Sequence, residues 1–206
     1  MSEYGPTLRA AIIVAVIGAF LNGVVTGVVG SWIAQRYSNE QTRKEAVHAL
    51  STHIYERRAT AELVASSLRR GADLDELRER KRRYDEAYLN WNKNLLANLL
   101  RIRDVLATDV YSFFEQQTEF RLTAILKEID ACLTAAYDAR LAGKEPGPLL
   151  DGCQMRSRLQ ESLDCGYAIS NELYRIARVS IVPFWTMSSR SPEEAQREVI
   201  AKCGKA

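Results

Sequence analysis

Apolar positions follow two patterns along this chain. From Ala10 to Ala34 the sequence AAIIVAVIGAFLNGVVTGVVGSWIA carries no Asp, Glu, Lys, Arg or His. As a helix it reaches roughly 37 Å, against a hydrocarbon core of about 30 Å. The pattern predicts one transmembrane helix over 10–34, preceded by a short tail, 1–9. The apolar run exceeds the core of a secretory leader, which puts cleavage second to a membrane span.

Beyond Ala34 the apolar residues become periodic. Val47, Leu50, Ile54, Arg57, Ala61, Val64 and Leu68 recur at steps of three and four, the spacing of one helical face. Ser38 and Asn39 are possible caps, so this helix either continues the span or restarts there. Gly71 suits the left-handed end of the helix, and Asp73 with Glu76 suits the start of the next. A second stripe runs through Leu77, Tyr84, Tyr88, Trp91, Leu95, Ile102 and Leu106, with Asn98 or Leu99 completing it. A third runs through Phe113, Phe120, Ile125, Ile129, Cys132 and Ala136 to Leu141. Gly143, Pro146, Gly147 and Pro148 mark a loop. A fourth stripe passes through Leu159, Leu163, Ile169, Leu173 and Ile176, with Gly152 and Gly166 weakening its continuity. Ser191 to Glu194 then starts a short helix to about Cys203.

The four runs Gln35–Arg70, Leu74–Leu106, Val110–Ala142 and Pro148–Ser180 are of similar length, about 50 Å each as helices. Short turns join them, so they bury their stripes by packing antiparallel. The expected fold is all-α: an N-terminal transmembrane helix followed by an antiparallel four-helix bundle over 35–206. The segment Ile181–Met187, with Phe184 and Trp185, suits either the lipid headgroup region or the end of the bundle.

Charge refines this picture. The 206 residues carry 28 basic and 26 acidic side chains, a net charge of +2, which gives no global argument for nucleic acid. Arg36, Arg43 and Lys44 follow the span closely, whereas Arg9 before it is offset by Glu3. The positive flank places the C-terminal bulk in the cytoplasm and the N-terminus outside the plasma (inner) membrane. Cys132, Cys153, Cys165 and Cys203 show no paired spacing, and a cytoplasmic location would keep them reduced as small core or surface residues.

Within the span, Gly18, Asn22, Thr26 and Gly30 form a small-and-polar stripe, and Gly23 with Gly27 forms GxxxG. A carboxamide facing lipid leaves its donors unsatisfied, so Asn22 is expected to face protein or water. Self-association follows as an expectation. In a dimer Asn22 meets its mate; in a ring of four or more, Asn22 and Thr26 could line a polar path.

The sharpest charged feature is Arg78-Glu79-Arg80-Lys81-Arg82-Arg83, which the helical hairpin brings near Arg69 and Arg70. These seven basic residues could take a phosphate-bearing ligand, a nucleotide or oligonucleotide included. The reading preferred here pairs them with Glu76, Glu79, Asp85 and Glu86 on a solvated face. Arg57, inside an apolar stripe, either meets a carboxylate or, as the reading preferred here, snorkels outward. Tyr84, Tyr88 and Trp91 read as core rather than as a base-stacking platform.

Chemistry has little to build on. His48 and His53 lie off a common face, Glu45-x-x-His48 is half a di-iron motif without its second copy, and Glu115 and Glu119 share a face without a histidine or cysteine near in sequence. No phosphate loop, nucleophile elbow or zinc spacing occurs. No catalytic residue, metal ligand or cofactor is expected, and the chain is read as a non-enzyme.

The layout of one N-terminal span with Asn22, followed by long amphipathic helices around Tyr84–Leu95, resembles the membrane effectors of bacterial anti-phage operons of the Hailong type, whose partner makes an oligonucleotide signal. The resemblance implies an oligomeric membrane pore held shut or opened by a nucleotide ligand, acting in antiviral defence by disrupting the membrane potential. The alternative is a non-conducting scaffold or receptor that recruits a cytoplasmic partner.

Overall fold

The computed structural model describes residues 13, 15–20, 23–103, 108–177 and 191–204, which are almost entirely helical. Asn22, the tail, Leu106 and the segment Ile181–Met187 lie outside the described residues. The chain divides into two units, Met1–Thr42 and Arg43–Ala206.

In the first unit, a π-helical stretch, Val25–Val29, leads into helix α1, Gly30–Arg69, whose first residues belong to this unit. Ile13, Val16, Ile17, Phe20, Val24, Val28, Trp32 and Ile33 are all exposed, as are Ala15, Gly18, Ala19 and Gly23 on the other sides of the helix. Among the described residues no helix is long and apolar enough to cross a membrane. The expected span, 10–34, falls partly outside those residues. Ser38 and Asn39 sit inside α1 and break nothing: the Ser38 carbonyl accepts a hydrogen bond from Thr42 Oγ1 at 3.0 Å.

The second unit is an all-α bundle. It holds the rest of α1, then α2 (Leu74–Arg103), α3 (Thr108–Gln116), a π-helical turn (Gln117–Leu122), α4 (Thr123–Leu141), α5 (Gly147–Gly152), α6 (Met155–Ala177) and α7 (Pro192–Cys203). The register of the bundle is legible from a few contacts. Ser67 bonds Glu76 and Arg80 bonds the Leu63 carbonyl, so α2 runs back along α1. Arg57 meets Asp130 while Arg140 reaches the carbonyls of Gly71 and Ala72, so α4 runs parallel to α1. Arg58 donates to the Leu159 carbonyl at 3.5 Å while Ile54 faces Gly166, and Arg158 meets Glu128 while Cys132 lies against Cys153, so α6 runs antiparallel to both.

The stripe that begins at Val47 forms one wall of a shared core with Trp91, Phe114, Leu126, Leu133 and Ile169. Local chemistry sets the ends of the elements. Gly71 adopts φ +65°, which a side chain would disfavour, and Asp73 accepts from the amides of Asp75 and Glu76 to open α2. Those backbone bonds, the one from Glu76 foremost, hold the Asp73 carboxyl below the usual range. At Gly166 a Cβ would lie 2.6 Å from Ile54 Cγ2, so glycine allows α1 and α6 their close approach.

Two predicted elements differ. The third run keeps its bounds but contains the π turn, which has one residue more than an α turn. The buried positions there are Phe114, Thr118 and Leu122, at steps of four, and Phe120, predicted to be buried, falls between the last two and is 65% exposed. The fourth run is not continuous. It breaks after Gly152, where Gln154 takes φ +53° between α5 and α6.

Candidate functional site

The residues singled out in the N-terminal segment form an accessible strip. Gly18, Gly23, Gly27 and Gly30 are exposed, with open space where a Cβ would stand, and Thr26 is also exposed. The π-helical stretch falls across Thr26 and Gly27.

The basic stretch occupies the first turns of α2, and each of its members has an acidic partner. Arg78 meets Asp75 at 3.1 Å, Arg80 meets Glu76 at 2.7 Å, and Lys81 meets Asp85 at 2.5 Å. Arg82 and Arg83 both reach Glu79 at 2.8 Å, and Arg82 also reaches Glu86. Their hydrogen bonds hold the Glu79 carboxyl down at about 2. Arg70 pairs with Glu76, and Arg69 with Asp151 at 3.6 Å.

Arg57 does not snorkel. Its side chain is 3% exposed and meets Asp130 of α4 at 2.5 Å. Asp130 also accepts from the Tyr84 hydroxyl, and the guanidinium lies 4.9 Å from the Tyr88 ring and 5.8 Å from that of Trp91. Tyr84 and Trp91 are core residues, while Tyr88 is 39% exposed. Burial pushes Asp130 up and Arg57 down, outweighing their mutual attraction in both cases. Asp130 was missed from sequence. The signal for it was an interruption: Asp130 breaks the stripe Leu126, Leu133, Tyr137 as Arg57 breaks its own.

A groove of about 470 Å³ runs between α1 and α6. Arg58, Glu62, Ser66, Arg69 and Arg70 line one side, and Arg156, Leu159 and Gln160 the other. A neighbouring hollow of about 670 Å³ shares Arg69, Arg156 and Gln160 and extends toward Asp151. Four arginines against one glutamate make the groove positive. Sequence reasoning found Arg69 and Arg70 but not Arg58 or Arg156. Arg58 shares a face of α1 with Arg69 at helical spacing, through Glu62 and Ser66, whereas Arg156 joins them only through the crossing of two helices remote in sequence.

The cysteines, read as reduced, are paired: Cys132 with Cys153, and Cys165 with Cys203. Pairing unites residues 21 and 38 positions apart, separations that helix packing creates and that no local motif announces. Arg121, in the π turn, donates from Nε and Nη2 to the Cys203 carbonyl at 3.2 and 3.1 Å, so the end of α7 is held by a covalent bond and a charged clamp together.

Among the described residues no group of three or more His, Cys, Asp and Glu could hold a metal ion. His48 touches Thr52, His53 lies 3.9 Å from Glu56, and Glu115 accepts from the Tyr111 hydroxyl at 2.6 Å. No protein family, curated protein or solved structure matches the chain.

Proposed function

We propose that the chain is a single-pass membrane effector that self-associates through its N-terminal helix into a ligand-gated pore, dissipating the membrane potential in antiviral defence. The observation that carries this reading is the 25-position segment Ala10–Ala34 without a charged residue, whose described apolar side chains are exposed all round. A helix apolar on every side needs apolar surroundings, and lipid supplies them. The open glycine faces at Gly23, Gly27 and Gly30 support close approach of a second helix. Asn22 and Thr26 then supply the polar groups of a conduction path.

Orientation is proposed from the flank after Ala34, with the N-terminus outside and the C-terminal unit in the cytoplasm. The two disulfides weigh the other way, since stable disulfides belong to oxidising compartments. Green fluorescent protein fused after Ala206 decides between them. Fluorescence supports the flank; darkness, with activity of an alkaline phosphatase fusion, assigns the unit to the oxidising side.

The function itself is tested by induced expression with a membrane-potential dye, with and without phage challenge. The pore reading expects depolarisation that Asn22→Leu abolishes and Asn22→Ser retains, at equal membrane insertion. A parent chain that leaves the potential intact under both conditions is a non-conducting scaffold instead.

A further inference from the structure

We propose that the groove between α1 and α6 binds a small soluble anion bearing two or more phosphate groups. It is the ligand site that the gated-pore reading calls for, yet its test reads no conduction, so the two can fail separately.

The groove brings Arg58, Arg69, Arg70 and Arg156 to one hollow, with Glu62 the sole carboxylate in its lining. Three of these arginines have acidic partners. Arg58 meets Glu62 at 2.8 Å, Arg70 pairs with Glu76, and Arg69 meets the exposed Asp151 only at 3.6 Å, too long for a hydrogen bond. Solvent-accessible pairs such as those of Arg69 and Arg70 exchange partners at little cost, while Arg58, 20% exposed, is the most fixed of the three. Arg156 has no acidic partner among the described residues, and it lies exposed in the first turn of α6. That turn presents amide donors and the positive end of the helix dipole.

One arginine fork takes two oxygens and so saturates a single carboxylate, whereas several forks gathered on one hollow suit an anion with more oxygens, as a polyphosphate has. Within the lining four arginines face Glu62 alone; counting Asp151 and Glu76, the partners of Arg69 and Arg70, the excess is one, and a di- or triphosphate that displaces those two carboxylates meets an excess of three. The volume of about 470 Å³ lies within the range of roughly 300–1,000 Å³ usual for small-molecule sites. The contrast with the start of α2 is instructive. There the cations outnumber those of the groove, but interleaved carboxylates already occupy them.

The experiment is calorimetric titration of the full chain, in uncharged detergent, with inorganic tripolyphosphate. The parent is expected to bind, with affinity falling as salt rises. Arg156→Gln is expected to weaken binding about tenfold or more, with an unchanged circular dichroism spectrum because Arg156 supports no described contact. The double variant Arg82→Gln/Arg83→Gln is expected to bind as the parent does. No binding by the parent, equal binding by Arg156→Gln, or an equal loss in the α2 double variant overturns the proposal. A parallel titration with short-chain phosphatidylglycerol separates the sources of phosphate. Arg156-dependent binding of that lipid, tighter than that of tripolyphosphate, would assign the groove to headgroups and overturn the soluble ligand; weaker or no binding supports it.

Discussion

Removing Asp130 probes the buried centre of the bundle most directly. Asp130→Ala strands the Arg57 guanidinium, whose Nε and Nη1 already find no hydrogen-bond partner, in a site where its side chain is 3% exposed. It also orphans the Tyr84 hydroxyl. Breaking a buried ion pair from one side costs about 3–5 kcal/mol. Asp130 is itself 20% exposed, so water can enter and relieve part of the cost, which places the expectation at the lower end, about 3 kcal/mol. For a domain of this size each kcal/mol moves the melting temperature by about 2–4 °C, giving a fall of about 6–12 °C.

The pKa directions make a second, opposite expectation. Both partners are driven toward their neutral forms, burial being the leading cause for each. Desolvation therefore outweighs the pair's attraction, and replacing the whole cluster with Arg57→Met, Tyr84→Phe and Asp130→Leu should leave stability within about 1 kcal/mol of the parent or above it. Thermal unfolding followed by circular dichroism, with the disulfides intact, measures both variants. A single variant that melts within about 2 °C of the parent, or a triple variant that melts lower than the single one, refutes the reasoning. The pH dependence carries its own sign. Because the Asp130 pKa is raised on folding, its contribution is fully present below the ordinary aspartate range and is lost as pH rises through the raised value. Asp130→Ala should remove that component.

Other expectations follow from single contacts. Gly166→Ala forces a Cβ against the stiff, branched side chain of Ile54 and should cost about 1–3 kcal/mol, with Ile54→Ala in the same chain restoring part of the loss. Ser191→Ala removes the side chain that accepts from Glu194 in a reciprocal capping box and should lower stability by about 1 kcal/mol, read from the melting temperature. Tyr111, pushed up to about 12 by burial and by its hydrogen bond to Glu115, should resist ionisation in an ultraviolet titration until well above the ordinary tyrosine range, and Glu115→Gln should lower its midpoint.

The helices were legible because each stripe is a local property. All seven positions of the first stripe, Arg57 included, are buried. The Gly71 turn, the Asp73 cap and the α7 start at Ser191 follow from backbone chemistry that a few adjacent residues determine. What escaped depends on events that no short window contains. The π turn at Gln117–Leu122 interrupts the α-helical phase of the third stripe, and Phe120, within it, is exposed. Asp130 became the partner of Arg57 only because α4 lies beside α1, and the cysteines found their partners the same way. Of the seven basic residues proposed for a ligand, Arg69 and Arg70 line the groove, while the other five lie along α2 with carboxylates of that helix interleaved among them. A run of charge in sequence is therefore a poor guide to where uncompensated charge resides.

The Cys165–Cys203 bond makes the chain between those residues a closed ring. Closing a loop of 38 residues withdraws about 4 kcal/mol of freedom from the unfolded chain in the chain-entropy account. The ring has a further effect that concerns covalent identity rather than stability. A protease that nicks the backbone anywhere inside it produces no free fragment: the severed terminus stays attached through sulfur, and the molecule keeps its mass but for one added water. Damage there would be invisible on a gel run without reductant and would become two bands as soon as thiol is added.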